Sequence, residues 1–143
     1  MAELESVMTV ELQIRGPYPI SEHRLAVNIE SGSLLGCGTF EGELSGSVIA
    51  PSGDVIVVQK TGTFERNVRL IASMEDGSHL LMEYGGRTVP TEEFQRKADA
   101  QEIIKGSEVY FKIQPTFSTE SEKHAWLNDF IFVGDMEEIV FPS

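Results

Sequence analysis

The chain has one cysteine, Cys37, among its 143 residues. No intrachain disulfide is available, and the core must hold together without one. Positive charge is also scarce: 11 Lys and Arg stand against 23 Asp and Glu, for a net charge of −12. The basic residues are scattered, so no stretch would attract a phosphate backbone or an anionic lipid surface, and neither nucleic acid nor a membrane is expected as a partner. No apolar run approaches the ~20 residues that span a bilayer. The start, Met-Ala-Glu-Leu-Glu-Ser, lacks the basic and apolar segments of a secretion signal, and no Asn-x-Ser/Thr acceptor occurs. A cytoplasmic location is the expectation.

Metal-binding and phosphate-binding patterns are missing too. His23, His79 and His124 lie far apart, with none at His-x-His spacing. His79 and Glu83 share one strand face, and two ligands do not make a site, so no metal and no cofactor are predicted. The run from Gly36 to Gly42 has the spacing Gly-x-Gly-x-x-x-Gly and leads into strand-like sequence. A dinucleotide loop needs a helix N-terminus there to hold the pyrophosphate. Cys37, in the same run, has no base beside it to make a thiolate.

What remains is an alternating pattern. Hydrophobic residues make up 41% of the chain, enough for one globular domain over 1–143. Met8, Val10, Leu12 and Ile14 alternate with polar residues as in a half-buried strand. Strand-like runs follow at Arg24–Ile29, Gly38–Ala50, Val55–Lys60, Phe64–Met74, His79–Tyr84, Val109–Ile113, Trp126–Val133 and Glu137–Phe141, of which Val55–Lys60 and Trp126–Val133 are apolar on nearly both faces. Glu75-Asp-Gly-Ser reads as a hairpin turn and Pro51-Ser-Gly as another, with Asp54 capping it. Glycines 38, 42 and 46 suggest the bends that curl a sheet. Thr91, Glu92 and Glu93 open one short helix near 91–105, which Lys105-Gly106 closes. The fold class is all-β: a single antiparallel calycin- or streptavidin-like β-barrel of about nine strands with that one helix.

Two strands carry the candidate chemistry. In the first, Glu108, Tyr110, Lys112 and Gln114 share a face opposite Val109, Phe111 and Ile113. That polar face either looks at water or lines a lumen where Tyr110 and Lys112 polarise a substrate oxygen. In the second, Trp126, Asn128, Phe130 and Phe132 share a face. Asn128 either orients a guest beside Trp126 or satisfies loop backbone. Glu83 is the candidate general base, Tyr84 and Phe130 line the guest, and Arg87, at the strand's rim, either anchors an acidic tail or pairs with a surface carboxylate.

The Phe40–Gly46 run, the Asp76-Gly hairpin, Tyr84-Gly, Tyr110-Phe-Lys, Thr116-Phe-Ser-Thr and Trp126-Leu-Asn…Phe-Val-Gly134 together resemble domain of unknown function family 3237. The resemblance implies a calycin-like or streptavidin-like barrel; the family's activity is largely unassigned, and some similar small barrels act on polyketide or terpenoid intermediates. The chain departs from the family where Pro51-Ser-Gly-Asp-Val replaces a Gly-Gly-x-Asp-Trp turn, and where His124-Ala125 replaces a Tyr before Trp126. The expected function is a cofactor-independent isomerase or cyclase of secondary metabolism, through cycloaddition or ring closure, acting on a hydrophobic natural-product intermediate inside the barrel. The alternative is a barrel that binds such a molecule without changing it. Strands apolar on both faces point to a homodimer or higher homo-oligomer.

Overall fold

The computed structural model describes residues 3–141. Five strands, β1 (Met8–Ser21), β2 (Arg24–Gly36), β3 (Ser45–Val58), β4 (Phe64–Met74) and β5 (His79–Val89), form an antiparallel meander. The helix α1 (Glu92–Asp99) leads through β6 (Ile104–Lys105) to β7 (Tyr110–Thr119), which returns beside β5. The short β8 (Gly134–Asp135) pairs with β7, and β9 (Glu138–Ile139) makes a separate ribbon with β6. The main sheet has seven strands in the order β1-β2-β3-β4-β5-β7-β8 and curls into a half-barrel.

The local chemistry follows the pattern where it is strongest. On β4, Val68, Leu70, Ala72 and Met74 turn inward and are buried, as are Leu80 and Met82 on β5. The intervening Asp76-Gly turn closes as expected: Gly77 has φ +85°, and Ser78 N–H donates to Asp76 Oδ1 at 2.9 Å. Thr91 caps α1, its hydroxyl accepting the Phe94 N–H at 3.0 Å. Gly86 is required by close approach, because a Cβ there would lie 2.3 Å from the Lys112 carbonyl oxygen on β7.

Several expected boundaries are corrected. The Gly38–Ala50 strand is a 3-10 turn at Gly38–Phe40, with Gly38 and Gly42 at positive φ, and the strand begins only at Ser45. Pro51-Ser-Gly does not separate two strands; β3 runs through it with a bulge between Ile49 and Gly53, where Ser52 Oγ accepts the Ile71 N–H at 3.1 Å. Trp126–Val133 is no strand: Ala125–Asp129 forms a 3-10 helix, and no strand resumes until β8. The helix is α1 over Glu92–Asp99, and Ile104 and Lys105 belong to β6.

The core has two parts. Ile29, Leu34, Val48, Leu70, Ala72, Leu80 and Phe117 fill the half-barrel toward the β4–β5 hairpin, and Leu127 of the 3-10 helix closes that end. Phe94 of α1, Ile104, Val109 and Phe141 make a smaller cluster over the other end. Ile14 packs on both. Each fully buried Leu contributes roughly 1.5–3 kcal/mol by leaving water.

Candidate functional site

Between the two apolar clusters lies a polar layer. Arg66 on β4 has the parity of Val68 and Leu70 and points inward, as do Asp54 of β3 and Thr88 of β5; all three are buried. Arg66 Nη1 donates to Asp54 Oδ2 at 3.1 Å and Nε donates to Thr88 Oγ1 at 3.1 Å. The registered β3–β4 pairs jump from Asp54 opposite Val68 to Val57 opposite Glu65. In that gap Asn67 N–H donates to Asp54 Oδ1 at 3.0 Å. Both carboxylate oxygens are therefore engaged, and Asp54 is a buried ion-pair partner rather than a turn cap.

The guanidinium also lies over the Phe111 ring, 4.5 Å from its centroid, with Phe64 at 5.9 Å. Its remaining nitrogen, Nη2, is buried and has no acceptor. A buried donor left unpaired on a charged group is costly and calls for an explanation. Tyr84 is inward on β5, two strand positions from Gly86 and four from Thr88. Burial pushes its phenol up to about 12, with the Asp54 charge reinforcing the shift and Arg66 opposing it. At neutral pH Tyr84 is thus a hydrogen-bond donor.

Access to this layer follows from burial along the strands. Most inward residues of the central strands are buried, whereas Val10, Leu12 and Ile14 on β1, and Phe111 and Ile113 on β7, are only partly so. Burial is thus most complete along the central strands and partial at the two edges of the sheet, β1 on one side and β7 with the short β8 on the other, which bound a seam.

A concavity of about 320 Å³ lies at the hairpin end, where Phe40, Leu44, Lys123, His124 and Trp126 line it. Phe40 and Trp126 stack with centroids 4.9 Å apart. The buried His124 places Nε2 2.7 Å from Glu75 Oε1, which also accepts from Lys123 Nζ at 3.0 Å. Burial works against the Glu75 carboxylate, but the bonds from Lys123, from backbone and from His124 outweigh it and hold its pKa below the ordinary value. Ser121 Oγ donates to Asp76 and accepts from His124 N–H at 3.2 Å. These contacts clasp the 120–129 segment to the β4–β5 turn.

The residues expected from sequence are not gathered into one site, although Phe130 meets Trp126 and Lys112 lies over the Tyr110 ring. Tyr110, Lys112 and Gln114 face outward, because Phe111, Pro115 and Phe117 take the inward positions of β7. The lumen reading of that face is corrected: Tyr110 is 54% exposed, and Lys112 Nζ pairs with Asp135 at 2.5 Å. Glu83 pairs with Arg69 at 3.1 Å and Arg87 with Glu65 at 3.3 Å, all on the outer face. Asn128 satisfies backbone, accepting Thr119 N–H and donating to Thr119 O, both at 3.0 Å. Phe130 is 62% exposed beside Trp126. Of the strand residues among those expected, Tyr84 alone is turned inward, opposite Val68 of β4. Among the described residues no group of three or more His, Cys, Asp or Glu is placed to hold a metal ion.

A family model described as "Protein of unknown function (DUF3237)" matches residues 2–140. The chain belongs to this family. It is 28% identical over 135 residues to a UPF0311 protein of Clostridium acetobutylicum, covering 90% of this chain and 82% of that one. A solved structure from Rhodopseudomonas palustris, of unknown function, superposes with TM-score 0.77 at 23% identity over 94% of this chain and 90% of its own. A β-barrel-like protein of Acinetobacter baumannii gives 0.64 at 19% identity over 92% and 85%. A protein of Penicillium herquei called an enzyme gives 0.57 at 16% over 94% and 88%. At these identities the structures show the fold alone, one described in a neighbour as β-barrel-like.

Proposed function

We propose that this DUF3237 protein takes a hydrophobic small molecule through the seam between β1 and β7 and performs cofactor-independent acid–base chemistry on it, an isomerisation or ring closure, at the polar layer. The observation that carries the reading is Arg66 Nη2, a buried donor with no acceptor, on the strand next to Tyr84, whose phenol burial holds in its protonated form. A guest oxygen seated there would complete the Arg66 hydrogen bonds and receive a second one from Tyr84. Two such donors in a dry site stabilise an oxygen as it gains charge, which enolisation and ring closure require. Asp54 is the one carboxylate of the layer and the nearest group able to take a proton. The part first assigned to Tyr110, Lys112 and Glu83 thus passes to Arg66, Tyr84 and Asp54. The Penicillium herquei neighbour, called an enzyme, is compatible with catalysis on this fold.

The reading is tested by exchange at carbon. An enolisable ketone such as 2-tetralone, incubated with the protein in D₂O, is followed by proton NMR. Accelerated loss of the α-proton signal in the wild type, reduced about 10–100-fold by Tyr84→Phe, is expected. Binding without acceleration would favour the non-catalytic barrel. Neither binding nor exchange would remove the reading.

A further inference from the structure

We infer that the guest of the interior site is a neutral carbonyl compound rather than a carboxylic acid, and that Asp54 sets this preference. The inference rests on the interior-site reading above and adds the substrate class. A lone buried arginine would select an anion, because an unbalanced guanidinium inside a protein is strongly disfavoured. Arg66 is not unbalanced. Its charge is met by Asp54 at 3.1 Å, and the two side chains are only 5% and 6% exposed. Among the described residues they are the only buried Lys, Arg, Asp or Glu, and the other groups facing Arg66 are neutral: Thr88 through its hydroxyl and Phe64 and Phe111 through their rings.

A carboxylate added to this layer would bury a second negative charge beside Asp54 with no cation left for it. A ketone, lactone or quinone oxygen adds no charge and supplies the acceptor that Nη2 lacks. Its apolar body would lie among Leu12, Ile14, Phe111 and Ile113, the half-buried side chains of the seam. A site built to hydrogen-bond one oxygen also rejects guests without one, since the donor is then stranded.

The test uses two near-isosteric probes, 2-acetonaphthone and 2-naphthoate, titrated calorimetrically into the whole protein in buffers of different ionisation enthalpy. Wild type is expected to bind the ketone at least about 10-fold more tightly, and to take up one proton when it binds naphthoate, since the acid enters in its neutral form. In Asp54→Asn, where the Arg66 charge is uncovered, naphthoate is expected to gain about 10-fold or more and to bind without proton uptake. If Asp54→Asn does not fold, the proton count on the wild type decides by itself. Naphthoate preferred by the wild type without proton uptake would overturn the neutral-guest inference while leaving the interior site standing. No heat from either probe up to about 1 mM, in either protein, would overturn the interior site along with it.

Discussion

Asp54 and Arg66 are a buried pair whose partners matter more than its net worth. Removing one member strands the other, so Arg66→Met alone should cost about 3–5 kcal/mol in denaturant unfolding. Asp54→Leu with Arg66→Met together should cost far less than the two singles summed. An additive result would mean the two charges do not meet inside. Tyr84 gives a pH signature. Its folded value lies above the ordinary 10, so the phenol contributes stability that is present below pH 10 and is lost as pH rises toward 12. Tyr84→Phe should therefore flatten the alkaline fall in stability, by roughly 2–3 kcal/mol at most. Arg66 was legible in principle: it shares parity with Val68, Leu70 and Ala72. It went unread because an arginine in an alternating strand ordinarily belongs to the wet face. Asp54 was hidden by the neighbouring Pro51-Ser-Gly, whose composition speaks for a turn.

At the scale of elements, what the chain states locally is what the structure keeps. The β4–β5 hairpin and the start of α1 follow from Asp-Gly and from Thr91, whose signals are contained in a few adjacent residues. The β3 bulge and the ends of β1, β2 and β7 depend on partners far along the chain, and alternation alone misplaces them. The 3-10 helix Ala125–Asp129 is such a case. Its aromatic and apolar residues read as a strand, yet Leu127 plugs the barrel end while Asn128 ties it to Thr119. Asn128→Ala should lower stability by about 1–3 kcal/mol, through two lost backbone bonds, and leave ketone affinity unchanged. A loss of binding without loss of stability would restore Asn128 as a guest-orienting residue. The His124–Glu75 clasp should show in acid. Because Glu75 is held below its ordinary value, its contribution is present above 4.5 and is lost as pH falls. Glu75→Gln should remove that part of the acid-side decline in melting temperature.

For the molecule as a whole, a half-barrel leaves more surface to account for than a closed one. The loop after Asn128 exposes Phe130 and Val133, and Ile131 is 97% exposed. If this tip drives the self-association expected from sequence, sedimentation should give a species of twice 15.8 kDa, and Ile131→Asp should return it to monomer. The polar layer needs no second copy, since Asp54, Arg66, Thr88 and Tyr84 come from three neighbouring strands of one chain. On the proposed reading, the seam and the stranded guanidinium nitrogen together make the interior a site rather than a core. A crystal structure of the protein grown with 2-acetonaphthone tests this most directly. The account predicts the ketone oxygen within hydrogen-bonding distance of Arg66 Nη2, with the naphthyl group in the seam between β1 and β7. An interior closed around Arg66, with Nη2 bonded to a protein carbonyl and no ketone there, would contradict it.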